Sequence, residues 1–365
     1  MQHLYLHVPF CQRRCSYCDF SIAVRKRIPV RDYLDVVLRE AEQAGHAEFE
    51  TIYLGGGTPS LLPPEAISEL LHDLTSPRDT HHAAREVTLE ANPEDVTPDA
   101  ARAWRSAGIN RVSLGAQSFD DTVLNWMHRS HDAARIGAAV HALRGAGLEN
   151  ISLDLIFGLP EELHCDWERD LETALALRTT HLSLYGLTVE PRTPLDRWIS
   201  RGATHAPDEE RYAEEYLLAH RLLTAAGFSF YEVSNAARDG YRSQHNSAYW
   251  SGKPYVGLGP AAHSFDGQTR RWNLRAWEAY RRAVAEGRSA VESEERLTEE
   301  QRELEAIYLG LRTTQGIPFG ALRRLPASFG GWVFEESGRL KCTPEGWLRL
   351  DSLVNELTMH TESQR

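Results

Sequence analysis

The stretch HVPFCQRRCSYCDF, residues 7–20, places three of the chain's five cysteines within eight residues. It follows an apolar N-terminal run, and the cysteine spacing is CxxxCxxC. A short loop of this kind brings three thiolates around one centre, which suffices to hold three corners of a cubane iron–sulfur cluster. The fourth iron then lacks a local protein ligand and is open to another molecule. This spacing predicts Cys11, Cys15 and Cys18 as cluster ligands.

Other uses of these cysteines are less favoured. A zinc site made with His7 is disfavoured, because structural zinc motifs usually come as two separated ligand pairs and His7 lies in a strand-like run. Disulfides are disfavoured because the cysteine count is odd and no signal peptide precedes the cluster. We expect Cys165 and Cys342 to be buried and inert, with Cys165 as a distant fourth ligand left open.

Composition sets the outer limits. The 365 residues, 42% hydrophobic and 25% charged, predict one large domain with one or two smaller ones. The net charge of −12 argues against broad binding of nucleic acid or of an anionic membrane. No stretch has the length of a transmembrane helix, so we expect a cytoplasmic protein without direct membrane insertion.

Seven apolar or β-branched runs alternate with helical stretches over the first 235 residues. The runs lie at residues 4–9, 51–56, 86–91, 111–116, 151–158, 181–187 and 230–234. Apolar residues recur at helical spacing between them, as Leu34, Val37, Leu38 and Ala41 do. This alternation predicts an α/β fold, with parallel strands curled into a full or partial barrel and a site built by the loops after the strands.

Polar residues recur at the predicted strand ends. GGGTPS, residues 55–60, follows the second strand, and its glycines allow a backbone to approach a ligand closely. Glu90 and Gln117 stand at the next two strand ends, although each alone could be an ordinary loop cap. Asp154 lies in an apolar run and needs a partner to offset its desolvation. With Arg129 it could neutralise a zwitterionic ligand.

CxxxCxYC, GGGTPS, LEANPE, LGAQSF and LDLIFGLP, in this order, resemble the radical S-adenosylmethionine superfamily and specifically its coproporphyrinogen oxidase-like branch. The similarity runs from about Tyr5 to the C-terminus. It implies a partial (β/α)6 barrel, a [4Fe-4S] cluster on the three cysteines and S-adenosyl-L-methionine chelated at the open iron. In such proteins an electron from the reduced cluster can cleave the sulfonium bond of the cofactor.

The resemblance assigns cofactor contacts by position. The glycine turn would meet the methionine end of the cofactor, Arg129 its carboxylate, and the acidic residues its hydroxyls and ammonium, while Tyr17 would pack against adenine. The residues assigned in this way are Tyr5, Tyr17, Gly56, Gly57, Thr58, Glu90, Gln117, Arg129 and Asp154.

Two functions within this branch must be separated. The oxygen-independent coproporphyrinogen III oxidase, which decarboxylates propionate side chains, has CxxxCxxCxC, whereas Phe20 stands at the last of those positions here. That oxidase also carries a long N-terminal segment that is missing before this cluster. The HemW-type heme chaperones have an aromatic residue at the position of Phe20. Both departures favour the chaperones.

HNSAYW, residues 245–250, is an instance of the HNxxYW motif of the HemW type. It lies in a Gly- and Pro-containing stretch that we predict to be a long irregular loop. We expect His245 to offer an imidazole to heme iron, with His263 as the rival ligand, and Tyr249 and Trp250 to offer flat apolar faces. Substituting His245 with Ala should then weaken heme binding and leave the cluster intact.

The partners follow from this resemblance. Arg270 and Arg271 could receive the heme propionates. The leading hypothesis is a heme chaperone that transfers heme to hemoproteins, including membrane-bound respiratory enzymes, and it allows a homodimer and predicts no nucleic acid. The alternatives are the decarboxylating oxidase and a radical enzyme for another substrate. The resemblance does not decide whether the chain is an enzyme.

The chain divides into three predicted parts. Residues 1–235 form the barrel, residues 236–290 the HNxxYW loop and a helix at 273–287, and residues 291–365 a small winged-helix-like cap. In the cap we predict an amphipathic helix, a hairpin centred on Ser337 and Gly338, and a capped final helix. Few basic residues interleave there, so we expect a cover for the barrel or a partner surface instead of a DNA-binding unit.

Overall fold

The structure, a computed structural model, describes residues 2–45, 48–75, 85–319 and 329–362. The strands are β1 (Gln2–Val8), β2 (Phe10–Cys11), β3 (Ala23–Val24), β4 (Phe49–Gly56), β5 (Glu86–Ala91), β6 (Arg111–Gln117), β7 (Asn150–Phe157), β8 (His181–Gly186), β9 (Ser229–Glu232), β10 (Asn235–Ala237), β11 (Tyr255–Leu258), β12 (His263–Phe265), β13 (Thr269–Asn273), β14 (Val291–Arg296), β15 (Ile317–Pro318), β16 (Val333–Glu336) and β17 (Arg339–Cys342).

The α-helices are α1 (Val30–Ala44), α2 (Pro64–Thr75), α3 (Pro98–Ser106), α4 (Asp121–Trp126), α5 (Ala133–Gly145), α6 (Trp167–Ala176), α7 (Pro194–Ser200), α8 (Glu209–Ala225), α9 (Gln244–Trp250), α10 (Trp277–Ala285), α11 (Glu299–Arg312), α12 (Pro344–Trp347) and α13 (Leu350–Glu362). Among these described helices, none combines the length and the hydropathy that crossing a lipid bilayer would require.

Twelve strands of the described chain form one sheet in the order β14-β13-β12-β11-β1-β4-β5-β6-β7-β8-β10-β9. The strands from β11 through β8 in that order all run parallel. Side chains are buried almost continuously along β5, β6 and β7, as expected for a parallel sheet whose two faces are both covered. The α/β prediction is confirmed, and the first six predicted strands coincide with β1 and β4 to β8.

Two sequence predictions about the edges of this sheet were wrong. The seventh predicted strand, residues 230–234, corresponds to β9, which pairs antiparallel with β10 and not parallel with the barrel strands. HNSAYW lies in helix α9 and not in an irregular loop, and β11 to β14 follow it in the main sheet. The loop prediction failed because Ser243 caps α9 by accepting the N–H of Asn246, and β11 completes the sheet beside β1.

Several barrel helices begin at a side chain that accepts a backbone N–H of the first turn. Such caps each contribute about 1 kcal/mol and fix where the loop after a strand ends. The capping residues are Thr97, Asp120, Asp132, Asp166 and Asp208. After β5 and β6, Thr97 and Asp120 thus end short loops and fix where these loops lie at the site.

The predicted amphipathic helix and hairpin are present, whereas the predicted final helix is divided into α12 and α13. β16 and β17 form an antiparallel hairpin, with Ser337 at φ 54° and Gly338 at φ 73°, the left-handed pair that a two-residue turn favours. β15 adds a third strand to this sheet. Thr343 caps α12, and Leu304 stays 38% exposed on the otherwise half-buried face of α11. The winged-helix assignment remains a prediction.

Candidate functional site

The cysteine loop is fastened to the barrel by backbone hydrogen bonds. The N–H of Arg25 donates to the carbonyl of Cys11 at 2.9 Å, and the N–H of Ser16 donates to the carbonyl of Met127 at 3.2 Å. The carbonyl of Ser16 also accepts the N–H of Leu195 at 2.9 Å. Because these contacts come from distant parts of the chain, the barrel itself fixes the shape of the loop.

A cavity of about 400 Å³ lies over this loop, and we call it the cysteine cavity. It is at the carboxyl ends of the parallel strands, where α/β barrels place their sites. The structure brings most of the predicted site residues together there: Cys11, Cys15, Tyr17, Cys18, Gly56, Gly57, Thr58, Glu90, Gln117, Arg129 and Asp154.

The glycines after β4 are required by close backbone approach. Gly56 has φ +110°, and a Cβ added to it would lie 2.6 Å from the His7 ring. A Cβ on Gly57 would lie 2.7 Å from the carbonyl oxygen of Phe10. Only glycine therefore lets the end of β4 lie against the strand that leads into the cysteine loop. The Thr58 hydroxyl then lies 3.4 Å from Cys11 Sγ.

Gln117 reaches the cavity through a break in the strand register. The pairing of β6 with β7 shifts between Leu114 and Gln117, and Gln117 takes a left-handed φ of 69°. An irregularity of this kind turns the following side chains away from the strand's regular alternation. Gln117 is thus positioned by a backbone irregularity that no local sequence pattern predicts.

Two buried carboxylates line the cysteine cavity. Glu90 accepts the Tyr53 hydroxyl at 2.8 Å and the N–H of Gly56 at 3.0 Å, and burial raises its pKa to about 7. Asp154 accepts the Ser113 hydroxyl at 3.0 Å, and burial also raises its pKa. Burial favours the neutral acids, so a cationic group in the cavity would restore their charge and be attracted by it.

Arg129 supplies the opposite charge. Its Nη2 donates to Asn92 Oδ1 at 2.6 Å and to the Gly115 carbonyl at 2.9 Å, and its Nη1 lies 3.5 Å from Cys15 Sγ. Its buried Nε–H has no acceptor among the described residues. A buried donor left unpaired costs about 1–3 kcal/mol of folding free energy. The positive charge of this guanidinium favours an anionic ligand group in the cavity. One cation facing two carboxylates fits a zwitterionic amino acid.

Three thiols in one cavity, beside a guanidinium that favours negative charge, form a suitable donor set for a four-iron cluster with one open iron. The zinc alternative loses its fourth ligand, because His7 is occupied on both ring nitrogens. Nδ1 pairs with the Tyr5 hydroxyl at 3.1 Å and Nε2 with the Ser21 carbonyl at 3.0 Å. In the part of the chain that the structure describes, no group of three His, Cys, Asp or Glu side chains is placed to bind a single metal ion.

The remaining cysteines do not line this cavity. All five cysteines are free thiols. Cys342 is buried in the small C-terminal sheet, and Cys165 is half-buried with its Sγ 3.9 Å from Asp170. Neither lines the cysteine cavity. The structure therefore does not bring Cys165 to the other three as a fourth ligand.

A second and larger cavity, of about 1230 Å³, adjoins the first. We call it the aromatic cavity after the rings that line it, which include Tyr249, Trp250, Tyr255, Phe265 and Trp272. Asp19, Phe20 and Gly56 line both cavities. Tyr5, predicted to contact the cofactor, faces the aromatic cavity, where its ring stacks on Tyr53 at a centroid distance of 6.1 Å.

His245 does not reach either cavity. It is 1% exposed, its Nδ1 lies 2.7 Å from the Thr51 hydroxyl, and its Nε2 lies 2.8 Å from the Tyr249 hydroxyl. Burial lowers its pKa to about 3, with His3 and Arg111 adding to the effect. Tyr249 and Trp250 of the HNxxYW motif line the aromatic cavity. His245 hydrogen-bonds the Tyr249 hydroxyl from the protein interior.

The two arginines predicted to bind the heme propionates also differ in whether they line the aromatic cavity. Arg270 lines the aromatic cavity, whereas Arg271, next along β13, turns to the other face and donates to Glu294 at 2.9 Å. Arg275 lines the cavity and was missed by sequence reasoning. No local pattern distinguishes it, because it follows the end of β13 and its direction depends on the fold.

Sequence reasoning also missed residues in the cysteine cavity. Tyr185 lines it with 45% of its side chain exposed, next to the end of β8, so the strand-end argument applied to Glu90 could have found it. Asn92 and Ser113 are partners of Arg129 and Asp154. Asn92 belongs to LEANPE and was within reach of the motif, but Ser113 depends on the register between β6 and β7.

Comparisons with known proteins identify the family of this chain. The sequence pattern of the Radical SAM superfamily matches residues 5–174. Heme chaperone HemW of Bacillus subtilis (strain 168) is 37% identical over 322 residues, which are 87% of this chain and 85% of that protein. Heme chaperone HemW of Escherichia coli (strain K12) is 39% identical over 265 residues, covering 71% of this chain and 69% of that protein.

A solved structure shares the fold. It is described as "Coproporphyrinogen III oxidase (HemN) from Escherichia coli is a Radical SAM enzyme", with a TM-score of 0.81 and 22% identity over 97% of this chain and 89% of that one. At this identity the likeness concerns the fold alone. Identity above 30% over more than two thirds of both HemW proteins is decisive for the family, and it confirms the resemblance inferred from the motifs. The chain belongs to the HemW family of the radical SAM superfamily.

Proposed function

We propose that this protein is a heme chaperone that binds heme and hands it to hemoproteins. The observation that carries the proposal is the aromatic cavity of about 1230 Å³ beside the cysteine cavity, in a chain of the HemW family. Its volume exceeds the roughly 300–1,000 Å³ of most ligand pockets, and its flat rings suit a macrocycle. The names of the relatives point to the same activity.

In this proposal the cysteine cavity holds a [4Fe-4S] cluster and S-adenosyl-L-methionine. Cys11, Cys15 and Cys18 bind the cluster, which supplies an open iron for chelation and an electron when reduced. The positive charge of Arg129 attracts the cofactor's carboxylate, and Asp154 binds a cationic or hydroxyl group. The wall shared with the aromatic cavity lets the state of the cofactor influence heme binding.

We propose respiratory membrane enzymes as the acceptors, contact with the membrane being made through them and not by insertion of this chain. The protein acts in the cytoplasm, where a second copy of the chain could regulate release by forming a homodimer. Nucleic acid is not a partner in this proposal, since the chain carries a net charge of −12.

Transfer tests the proposal directly. The heme-loaded protein is mixed with an apo-hemoprotein, and the shift of the heme absorption band toward the acceptor's spectrum is followed. We expect faster and more complete loading than from the same concentration of heme on serum albumin. Saturable heme binding without any transfer to several acceptors would contradict the chaperone function.

The decarboxylating oxidase is the alternative raised by the sequence. Phe20, 59% exposed at the edge of both cavities, stands where that enzyme has its fourth cysteine. An anaerobic assay of cluster-reconstituted protein with S-adenosylmethionine, reductant and coproporphyrinogen III decides between the two, with a working oxidase as the positive control. We expect no protoporphyrinogen; its formation at turnover rates would replace the chaperone proposal.

A further inference from the structure

The aromatic cavity is cationic within an acidic chain. The whole sequence has a net charge of −12, yet six basic side chains line this cavity against the acids Asp19 and Glu305. The basic residues are Arg242, Lys253, Arg270, Arg275, Arg302 and Arg339. Such an excess favours a ligand that carries carboxylates. Combined with the aromatic walls, it describes a flat apolar molecule with an acidic edge.

The same cavity contains one histidine whose ring is not engaged. Two histidines, His7 and His263, line it in the described part of the chain. His7 has both ring nitrogens hydrogen-bonded, whereas no hydrogen bond of the His263 ring is found among the described residues. His263 is exposed at the start of β12, and its ring lies against Trp272 with centroids 5.9 Å apart and planes at 26°.

The surroundings of His263 suit iron ligation. Partial desolvation of the ring against the cavity wall lowers its pKa from the ordinary value of 6.5, and the positive charges of Arg270 and Arg275 lower it further. The imidazole is therefore neutral at neutral pH, and the neutral form is the one that binds metals. Contact with Trp272 also limits how the ring can turn.

Arg270 and Arg275 differ in what they can offer a ligand. Arg270 donates twice to the Glu305 carboxylate, at 2.8 and 3.0 Å. No ion pair involves the Arg275 guanidinium among the described residues, while its backbone carbonyl is held by the Ser21 hydroxyl at 2.8 Å. Arg275 thus presents an unpaired cation on an anchored backbone, near the ring of His263.

We propose that His263, and not His245, is the axial ligand of the heme iron, and that a heme carboxylate binds Arg275. The proposal rests on the proposed heme-chaperone function and specifies where that function is located. His245 would have to leave the Thr51 and Tyr249 hydroxyls and the protein interior to reach iron, whereas His263 already faces the cavity. The HNxxYW motif then contributes a ring wall held in place by His245.

The test is a heme titration of the full-length protein, followed by the Soret band in the ferric and dithionite-reduced states. The variants are His263→Ala, His263→Gln, His245→Ala and Arg275→Gln, with His141→Ala as the matched control, since His141 is exposed on α5 and lines neither cavity. Thermal unfolding of each variant checks that it folds. His263→Ala is measured again with free imidazole added.

We expect both His263 variants to change the Soret position and to weaken heme binding by about tenfold or more. Imidazole should restore the wild-type spectrum of His263→Ala, which a merely structural role would not allow. Arg275→Gln should weaken binding without moving the band, and His141→Ala should match the wild type. We expect folded His245→Ala to retain the wild-type Soret position.

Three results would overturn the inference in different ways. If the wild type binds heme but folded His263→Ala and His263→Gln keep its spectrum and affinity, His263 is not the ligand and the chaperone proposal stands. A wild type that shows no saturable heme binding would remove the proposed function and the inference with it. Loss of the wild-type Soret position in folded His245→Ala, with imidazole restoring it, would return the ligand role to His245.

Discussion

The cysteine cavity and the aromatic cavity share a wall but are built differently. The first takes its three thiols from eight consecutive residues, and the strand-end motifs add further residues such as Thr58, Glu90 and Asp154. The second takes its rings and cations from α9 and from β11 to β13, with further cations from the C-terminal helix and hairpin. A site whose ligands lie in one short loop can be predicted from the sequence. A site whose residues come from many elements can be identified only when the fold is known.

Removing one thiol should separate the two cavities most completely. We expect Cys15→Ala to abolish the four-iron absorbance after reconstitution, because two thiolates cannot hold the cluster that needs three. Heme binding in the aromatic cavity should persist. Cys165→Ala is the control, since that thiol lines neither cavity. A full four-iron spectrum in Cys15→Ala would mean that the cysteine cavity is not the cluster site.

Neutralising Asp154 should weaken the cysteine cavity without emptying it. Asp154→Asn removes the carboxyl group whose negative charge a cationic group of the cofactor would restore, and hydrogen bonds to charged groups contribute about 1.5–3 kcal/mol. We expect S-adenosylmethionine affinity, measured by anaerobic calorimetry on the reconstituted protein, to fall by about ten- to a hundredfold. Asp73→Asn, exposed on α2, is the control. Equal affinities in the two variants would remove Asp154 from the ligand site.

Glu40 supports the wall of the aromatic cavity from within the core. It accepts the N–H of Gly259 at 2.8 Å and also bonds Asn273 and the Tyr280 hydroxyl. Glu40→Gln puts an amide N–H₂ against these donors, so we expect the free energy of unfolding to fall by about 1–3 kcal/mol. Urea unfolding measures it, with Glu42→Gln, exposed on the same helix, as the control. Equal stability of the two variants would contradict the role.

The pH dependence of that loss has a definite sign. Burial raises the pKa of Glu40 to about 7 from the ordinary 4.5, so the folded protein keeps this proton longer than the unfolded chain does. The stability contributed by this protonation is complete below about pH 4.5 and is lost as pH rises through 7. The difference between wild type and Glu40→Gln should therefore shrink from pH 5 to pH 8. A difference that grows over this range would contradict the raised pKa.

The smallest effect concerns the shared wall. Phe20 is 59% exposed, so Phe20→Ala should change the free energy of unfolding by about 0.5 kcal/mol or less. Because its ring lines both cavities, we expect heme and S-adenosylmethionine each to bind about fivefold more weakly at most. Val24→Ala, 45% exposed and lining neither cavity, is the control. A loss confined to one ligand would show that the wall belongs to one cavity.

Sequence was most informative where chemistry and backbone geometry coincide. The strands β1 and β4 to β8 were predictable from buried apolar runs, and Gly56 and Gly57 from the need for close backbone approach. Asp154 was predictable because it is a carboxylate among apolar residues. In each case a local pattern reflects the physical requirement directly, so the prediction needed no long-range contact.

Sequence was least informative where side-chain direction depends on distant packing. His245 belongs to the HNxxYW motif, yet a cap on α9 turns it inward to Thr51, 194 positions away along the chain. Arg270 and Arg271 are adjacent, but the alternation of β13 gives only one of them to the cavity. No periodicity encodes these choices, because they follow from how α9 and β13 lie against the barrel.

The fastening of the cysteine loop has a consequence for the order of synthesis. Ser16 is held by Met127 and Leu195, and β1 lies between β4 and β11, the latter made about 250 positions later. The cysteines leave the ribosome early, but the contacts of Ser16 with Met127 and Leu195 can form only after the chain has been made as far as Leu195. The fold that shapes the cysteine loop is therefore complete only late in translation. A nascent chain stalled before Leu195 would carry its three thiols on a partly folded barrel.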